Sequence, residues 1–255
     1  MELAMTDAPS AILRARGLTK RYGTQPVLHG IDLDLAPGRV TVVLGENGAG
    51  KTTLMRLLAG DLRPDDGTVH VGGADLHGTP DVARKQMIFT AQHPPLAPLL
   101  SLRDHAEALI ALRGLDPGRA AHELASLAEV FTLSHAMDRP VRALSGGMAH
   151  KAALSLAFLA ETPLILLDEP HSGLDVRSAL ALRGRILARK AAGTAFLLAS
   201  HLAEATLAVA DRAFVLAQGR IALDLGPAEL AAYRGDARAF EADVLRAMGV
   251  APLAT

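Results

Sequence analysis

The stretch Gly45-Glu46-Asn47-Gly48-Ala49-Gly50-Lys51-Thr52-Thr53 holds residue types that can grip a chain of phosphates. Its glycines let the backbone wrap closely enough for N–H groups to point at phosphate oxygens. The ammonium of Lys51 would then bridge the β- and γ-phosphates, and the hydroxyl of Thr52 is a ligand for Mg²⁺. The pattern G-x-x-x-x-G-K-[ST] carries this meaning when a strand runs in and a helix runs out. Both flanks fit. "RVTVVLG" is apolar and β-branched, and "KTTLMRLLAG" has helical spacing and stops at Gly60.

A second set of groups completes a site for phosphoryl chemistry. In "LILLDEP" four apolar residues bury a strand, and Asp168 and Glu169 stand at its C-terminal end, where open α/β sheets hold ligands. Asp168 would hold Mg²⁺, directly or through water, and Glu169 would polarise the attacking water. A third feature is "ALSGGMAHKA", where Ser145, Gly146 and Gly147 open another helix with open N–H groups. One short chain therefore carries two phosphate-receiving helix starts. A Ser N-cap would explain Ser145 but not the glycine pair.

The elements that position these groups follow from periodicity. "AILRAR" and "GIDLDL" alternate as half-exposed antiparallel strands do. Short strands are expected at "GTVHVGG" and "QMIFTAQ", and buried ones at "PLILLD" and "TAFLLAS". "HPPLAPLL" is a proline-rich connector into a helix capped by Ser101 with Asp104, and "GRAAHELASLAEVF" is a second helix. A third runs from the glycine pair to about Ala160. "RAFVLAQGRIALDLG" is a hairpin turning at Gln218-Gly219, and 227–255 forms two small helices. The fold expected is α/β: a P-loop NTPase core with a mixed sheet, an antiparallel β subdomain and an inserted helical subdomain. The boundaries expected are a tail at 1–9, one phosphate-binding domain at 10–232 interrupted by helices at 94–160, and a helical tail at 233–255.

Composition narrows the field. With no cysteine there is no disulfide, thiolate metal site or cysteine nucleophile. A net charge of −1, 3% aromatic residues and no Trp give neither the field nor the stacking platform of a nucleic-acid binder. No apolar run reaches the ~20 residues of a membrane span. His70 and His77 flank a turn with no metal-ligand spacing around them.

Taken together and in order, "GENGAGKT", "LSGGM", "LILLDEP", "SGLD" and "ASH" resemble the ATP-binding subunit of ABC transporters over about residues 11–232. The resemblance implies that Tyr22 stacks on adenine. It implies that Gln92 is the Q-loop glutamine, touching Mg²⁺ or water and linking the core to the helical insertion. Ser172, Gly173, Leu174 and Asp175 match the D-loop, a dimer contact, and His201 matches the switch histidine that hydrogen-bonds the γ-phosphate. It also explains the second helix start. In the family two chains pack head-to-tail, and the Ser145–Gly147 signature of one caps the ATP held by the other. Two ATP, Mg²⁺, a second ATP-binding chain and a transmembrane permease on the cytoplasmic side of the membrane are implied. The permease would dock near Gln92 and residues 93–113. An export-type system is the finer expectation. The alternative is a soluble, non-transport ABC ATPase, for cluster assembly or repair.

Some positions depart from the family pattern. Met148 stands where many relatives carry Gln or Glu, and His150 and Lys151 where Arg, Lys and Gln are usual. His171 replaces the common Thr after "DEP". It is expected to face solvent, where an imidazole beside the carboxylates would otherwise tune activity with pH.

Overall fold

The computed structural model describes residues 11–250. The expected tail at 1–9 lies outside the described residues, as do positions 251–255.

The chain begins with a hairpin, β1 (Leu13–Tyr22) and β2 (Gln25–Leu35), in which buried and exposed residues alternate at first as the pattern predicts. β3 (Val40–Leu44) follows and is buried throughout. It leads into α1 (Lys51–Ala59), which Gly60 ends in the left-handed conformation at φ 75°. Then come β4 (Asp66–Val71), β5 (Ala74–Asp75), α2 (Pro80–Lys85) and β6 (Met87–Thr90). A helical stretch contains α3 (Leu102–Arg113), α4 (Pro117–Val130) and α5 (Gly146–Leu159). In α3, Ser101 and Asp104 form the expected capping box; α4 starts earlier than the pattern placed it, capped by Asp116. The chain closes with β7 (Leu164–Asp168), α6 (Val176–Ala191), β8 (Ala195–Ser200) and α7 (Ala203–Leu207). After them come β9 (Arg212–Ala217), β10 (Arg220–Leu225), α8 (Pro227–Tyr233) and α9 (Ala237–Ala247).

Two sheets result. One has the order β2-β1-β4-β5 and is antiparallel; the other has the order β10-β9-β3-β8-β7-β6. β3, β6, β7, β8 and β9 run parallel and β10 antiparallel, so the larger sheet is mixed. Its apolar runs are continuous because both faces are covered. Ile165 and Leu167 enter the core shared with α3, α4 and α5, while Leu164 and Leu166 enter the core shared with α1 and the antiparallel sheet. Each such leucine contributes about 1.5–3 kcal/mol by leaving water.

Three helices escape the periodicity reading, the first being α2, a six-residue helix with one buried position, Ala83. α6 is mostly exposed and buries a narrow stripe, Ser178, Leu182 and Ile186, whose four-residue spacing is its signal in the sequence. α7 is too short for any pattern to register. The α8–α9 pair packs on the core through Leu230, Phe240 and Val244, with the Tyr233 and Phe240 rings 5.4 Å apart. No helix among the described residues is long and apolar enough to cross a membrane.

Candidate active site

The first wall of the site is the loop between β3 and α1. Gly48 and Gly50 have φ 87° and 105°, which only glycine adopts without strain. A Cβ on Gly50 would lie 2.9 Å from Leu28, and one on Gly45 would lie 2.6 Å from the Leu216 carbonyl. α1 carries neither a side-chain cap nor an acidic residue in its first turn, so its leading N–H groups face the cavity with their positive end free. The cavity is about 370 Å³ and is lined by Glu46, Asn47, Gly48, Gly50, Lys51, Thr52, Thr53, Gln92, Glu169 and Val27. The phosphate loop, the glutamine after β6 and the carboxylate after β7 thus meet at the C-terminal ends of parallel strands of one sheet, with β8 between β3 and β7.

Inside the cavity the charges pair. Lys51 is 6% exposed; its Nζ donates to the carbonyls of Gly45 at 2.6 Å and Glu46 at 3.2 Å and stands 3.6 Å from Glu169 Oε1. Glu169 Oε2 lies 2.8 Å from His201 Nδ1, at the end of β8. Glu169 has φ 50°, a left-handed conformation costing a non-glycine residue about 1–2 kcal/mol. Two backbone bonds hold it there: its N–H donates to the Ala199 carbonyl, and its own carbonyl accepts from Ser172. The strain aims the carboxylate at Lys51 and His201 rather than along the strand.

Asp168 is 1% exposed, and neither carboxylate oxygen has a hydrogen-bond partner among the described residues. Burial pushes its pKa up, while the nearby Thr52 hydroxyl opposes that shift. A buried carboxylate with free oxygens beside a threonine hydroxyl suits a divalent cation, which would offset the burial cost. Among the described residues no cluster of three His, Asp or Glu side chains is arranged for a metal.

Other expected site residues lie elsewhere. Tyr22 is 47% exposed at the tip of the β1–β2 hairpin and does not line this cavity; Val27 does. Ser145 caps α5, its Oγ accepting from the Met148 N–H at 3.2 Å. Ser145 and Gly146 are exposed and do not line the phosphate-loop cavity of their own chain, and a Cβ on Gly146 would meet open space. Asp175 caps α6 and pairs with Lys151, which holds its carboxyl far below the usual range.

His171 corrects an expectation. It is half-buried rather than solvent-facing, its Nδ1 is enclosed without a partner among the described residues, and burial pushes its pKa down. That shift favours the neutral imidazole, the opposite of what a solvent-facing ring beside a carboxylate would show.

This geometry agrees with comparison to known proteins. A family model described as ABC transporter matches residues 28–172, more than half of the chain. The chain belongs to the ABC transporter family. It is 34% identical over 217 residues to the daunorubicin/doxorubicin resistance ATP-binding protein of Streptomyces peucetius, covering 85% of this chain and 66% of that one. It is 40% identical over 223 residues to an aliphatic sulfonates import ATP-binding protein of Nocardia farcinica, covering 86% and 83%. A solved ATP-binding subunit of an ABC transporter superposes with a TM-score of 0.85 at 27% identity, covering 93% of this chain and 99% of the other. The chain is an ABC ATP-binding subunit, an ATPase coupled to transport, with the fold its motifs imply.

Proposed function

We propose that this ABC ATPase hydrolyses ATP at a site made by two chains packed head-to-tail, and that the cycle drives a transmembrane permease. The observation that carries the reading is the separation within one chain: the phosphate loop and Glu169, with His201 bonded to it, form the cavity, while Ser145 and Gly146 are exposed and none of Ser145, Gly146 and Gly147 lines it. A helix start with free N–H groups and no anion of its own finds one in a second copy. Each chain supplies half of two sites, and two-fold symmetry closes both.

In each site the phosphate loop and α1 bind the phosphates, and Lys51 moves from its loop carbonyls and Glu169 to the β- and γ-oxygens. Asp168 and Thr52, with Gln92 at the rim, would hold Mg²⁺, which neutralises charge developing on the phosphates. Glu169 accepts a proton from water, and His201 fixes the carboxylate and reaches toward the γ-phosphate. Tyr22 is assigned to adenine. Residues 94–160 are assigned to a helical subdomain that carries the signature.

The permease is assigned to an apolar groove of about 350 Å³ beside Gln92, formed by Ile88, Phe89, Pro95, Leu96, Leu109 and Leu112. Leu112 and Leu99 are 83% and 68% exposed there and nearby, large apolar side chains that a membrane protein's cytoplasmic helix would cover. The test is affinity purification of tagged Glu169→Gln chain from its native cells in mild detergent with ATP. A multi-span membrane protein in near-equal amount supports the proposal, and its loss on adding Leu112→Asp places it in the groove. Recovery with soluble partners alone would overturn it.

A further inference from the structure

His150 is 4% exposed in the second turn of α5, five residues after Ser145. Its Nε2 donates to the Pro170 carbonyl at 3.1 Å, which fixes the tautomer with the proton on Nε2. The ring also lies beside the backbone of Gln92, and Nδ1 is enclosed with no partner among the described residues. Enclosing an imbalanced polar ring in an apolar helix is unfavourable by itself, since methionine or leucine would pack there without an unmade hydrogen bond. Pro170 follows Glu169 directly and has no N–H, so its carbonyl is the one backbone handle that a side chain can grip at that residue.

The same short loop is held at two further points. Gly147 lies against it, a Cβ there falling 3.0 Å from the Gly173 carbonyl, and Lys151 Nζ stands 2.5 Å from Asp175 Oδ2. Residues 170, 173 and 175 are thus fastened to the first two turns of α5. Two of those fastenings stabilise the loop's far end. The His150 bond acts next to the strained Glu169 itself.

We propose that His150 is a positioning residue that ties the helix start presented to the second chain's nucleotide to the backbone that aims Glu169 at this chain's own. Resting on the head-to-tail reading, this makes the two phosphate-facing ends of one chain a single body, so engagement of the signature helix reorients the carboxylate. Helix α5 also lines the permease groove through Ala153 and Leu156, which joins that groove to the same body.

The test uses two substitutions in the full chain. His150→Gln carries an N–H at the distance of Nε2 from the backbone, whereas His150→Asn carries one only at the distance of Nδ1. Steady-state hydrolysis of Mg-ATP, calorimetric titration with ADP and thermal melting are measured for both. Loss of one neutral hydrogen bond in the transition state is expected to lower kcat about tenfold in His150→Asn, with KM and ADP affinity within about twofold of the parent. His150→Gln is expected to restore kcat to within about twofold, which a mere packing role would not. Should His150→Asn not fold, His150→Met takes its place with the same expected split. The inference is overturned if His150→Asn turns over like the parent, if both amides fall together, if kcat and ADP affinity drop in step, or if no variant without the Nε2 donor folds. Glu169→Gln run alongside separates the two readings. If it hydrolyses ATP normally, the site assignment fails; if it is inactive while His150→Asn is normal, only the role of His150 does.

Discussion

Replacing Glu169 by glutamine separates charge from shape at the centre of the site. The amide keeps the side chain's volume and an acceptor oxygen for the His201 Nδ1–H, now 2.8 Å away, so the cavity wall is preserved. The lost charge is the one 3.6 Å from Lys51 Nζ. At an effective dielectric near 20 two unit charges at that distance attract by about 4.6 kcal/mol. If solvent and the loop carbonyls make up three quarters of that, about 1 kcal/mol remains to release Lys51 toward phosphate, or roughly fivefold tighter ATP. Removing a general base should at the same time slow turnover by about 10²–10⁴. The expected signature is therefore a large fall in kcat with ATP affinity equal to or better than the parent's. Phosphate release at saturating Mg-ATP and calorimetric ATP binding read the two quantities. Hydrolysis within about threefold of the parent, or ATP binding weakened more than about tenfold, would refute the assignment of Glu169 as base and of its pair with Lys51 as a resting contact.

Three other perturbations follow from the same geometry. Gly50→Ala places a Cβ 2.9 Å from Leu28 at φ 105°; it should cost about 1–3 kcal/mol in urea unfolding and weaken ADP binding at least tenfold. His171→Thr tests a buried imidazole whose pKa lies below its ordinary value. On acidification the unfolded chain takes up that proton first, so stability is full above about pH 6.5 and is lost below it, by at most about 1.4 kcal/mol per pH unit for one group. Urea midpoints at neutral and mildly acid pH should therefore diverge less in His171→Thr, and its pH–rate profile above about pH 6.5 should match the parent's. Phe240→Ala empties a fully buried position beneath Tyr233. A loss of about 3–5 kcal/mol in urea unfolding is expected, and a loss under about 1 kcal/mol would show that α9 adds little to the core.

Much of this protein was legible in one dimension because its chemistry is local. A phosphate loop needs glycines, a lysine and a hydroxyl in unbroken order, so Gly45–Thr53 could be read without neighbours. Strands buried on both faces are apolar at every position, which made β3, β7 and β8 visible, and the box at Ser101 and Asp104 marked α3. Helix α6 was hidden because most of its surface faces water and only a few residues record the core. The tertiary structure decided what depends on distance between remote segments. It set the left-handed backbone of Glu169, the pairing of that carboxylate with Lys51 and His201, the enclosure of His171, and the grip of His150 on Pro170. Residue types state which groups a segment can offer. Which of them meet, at what burial and in what protonation state, is set by strand order and by packing between elements far apart in the chain.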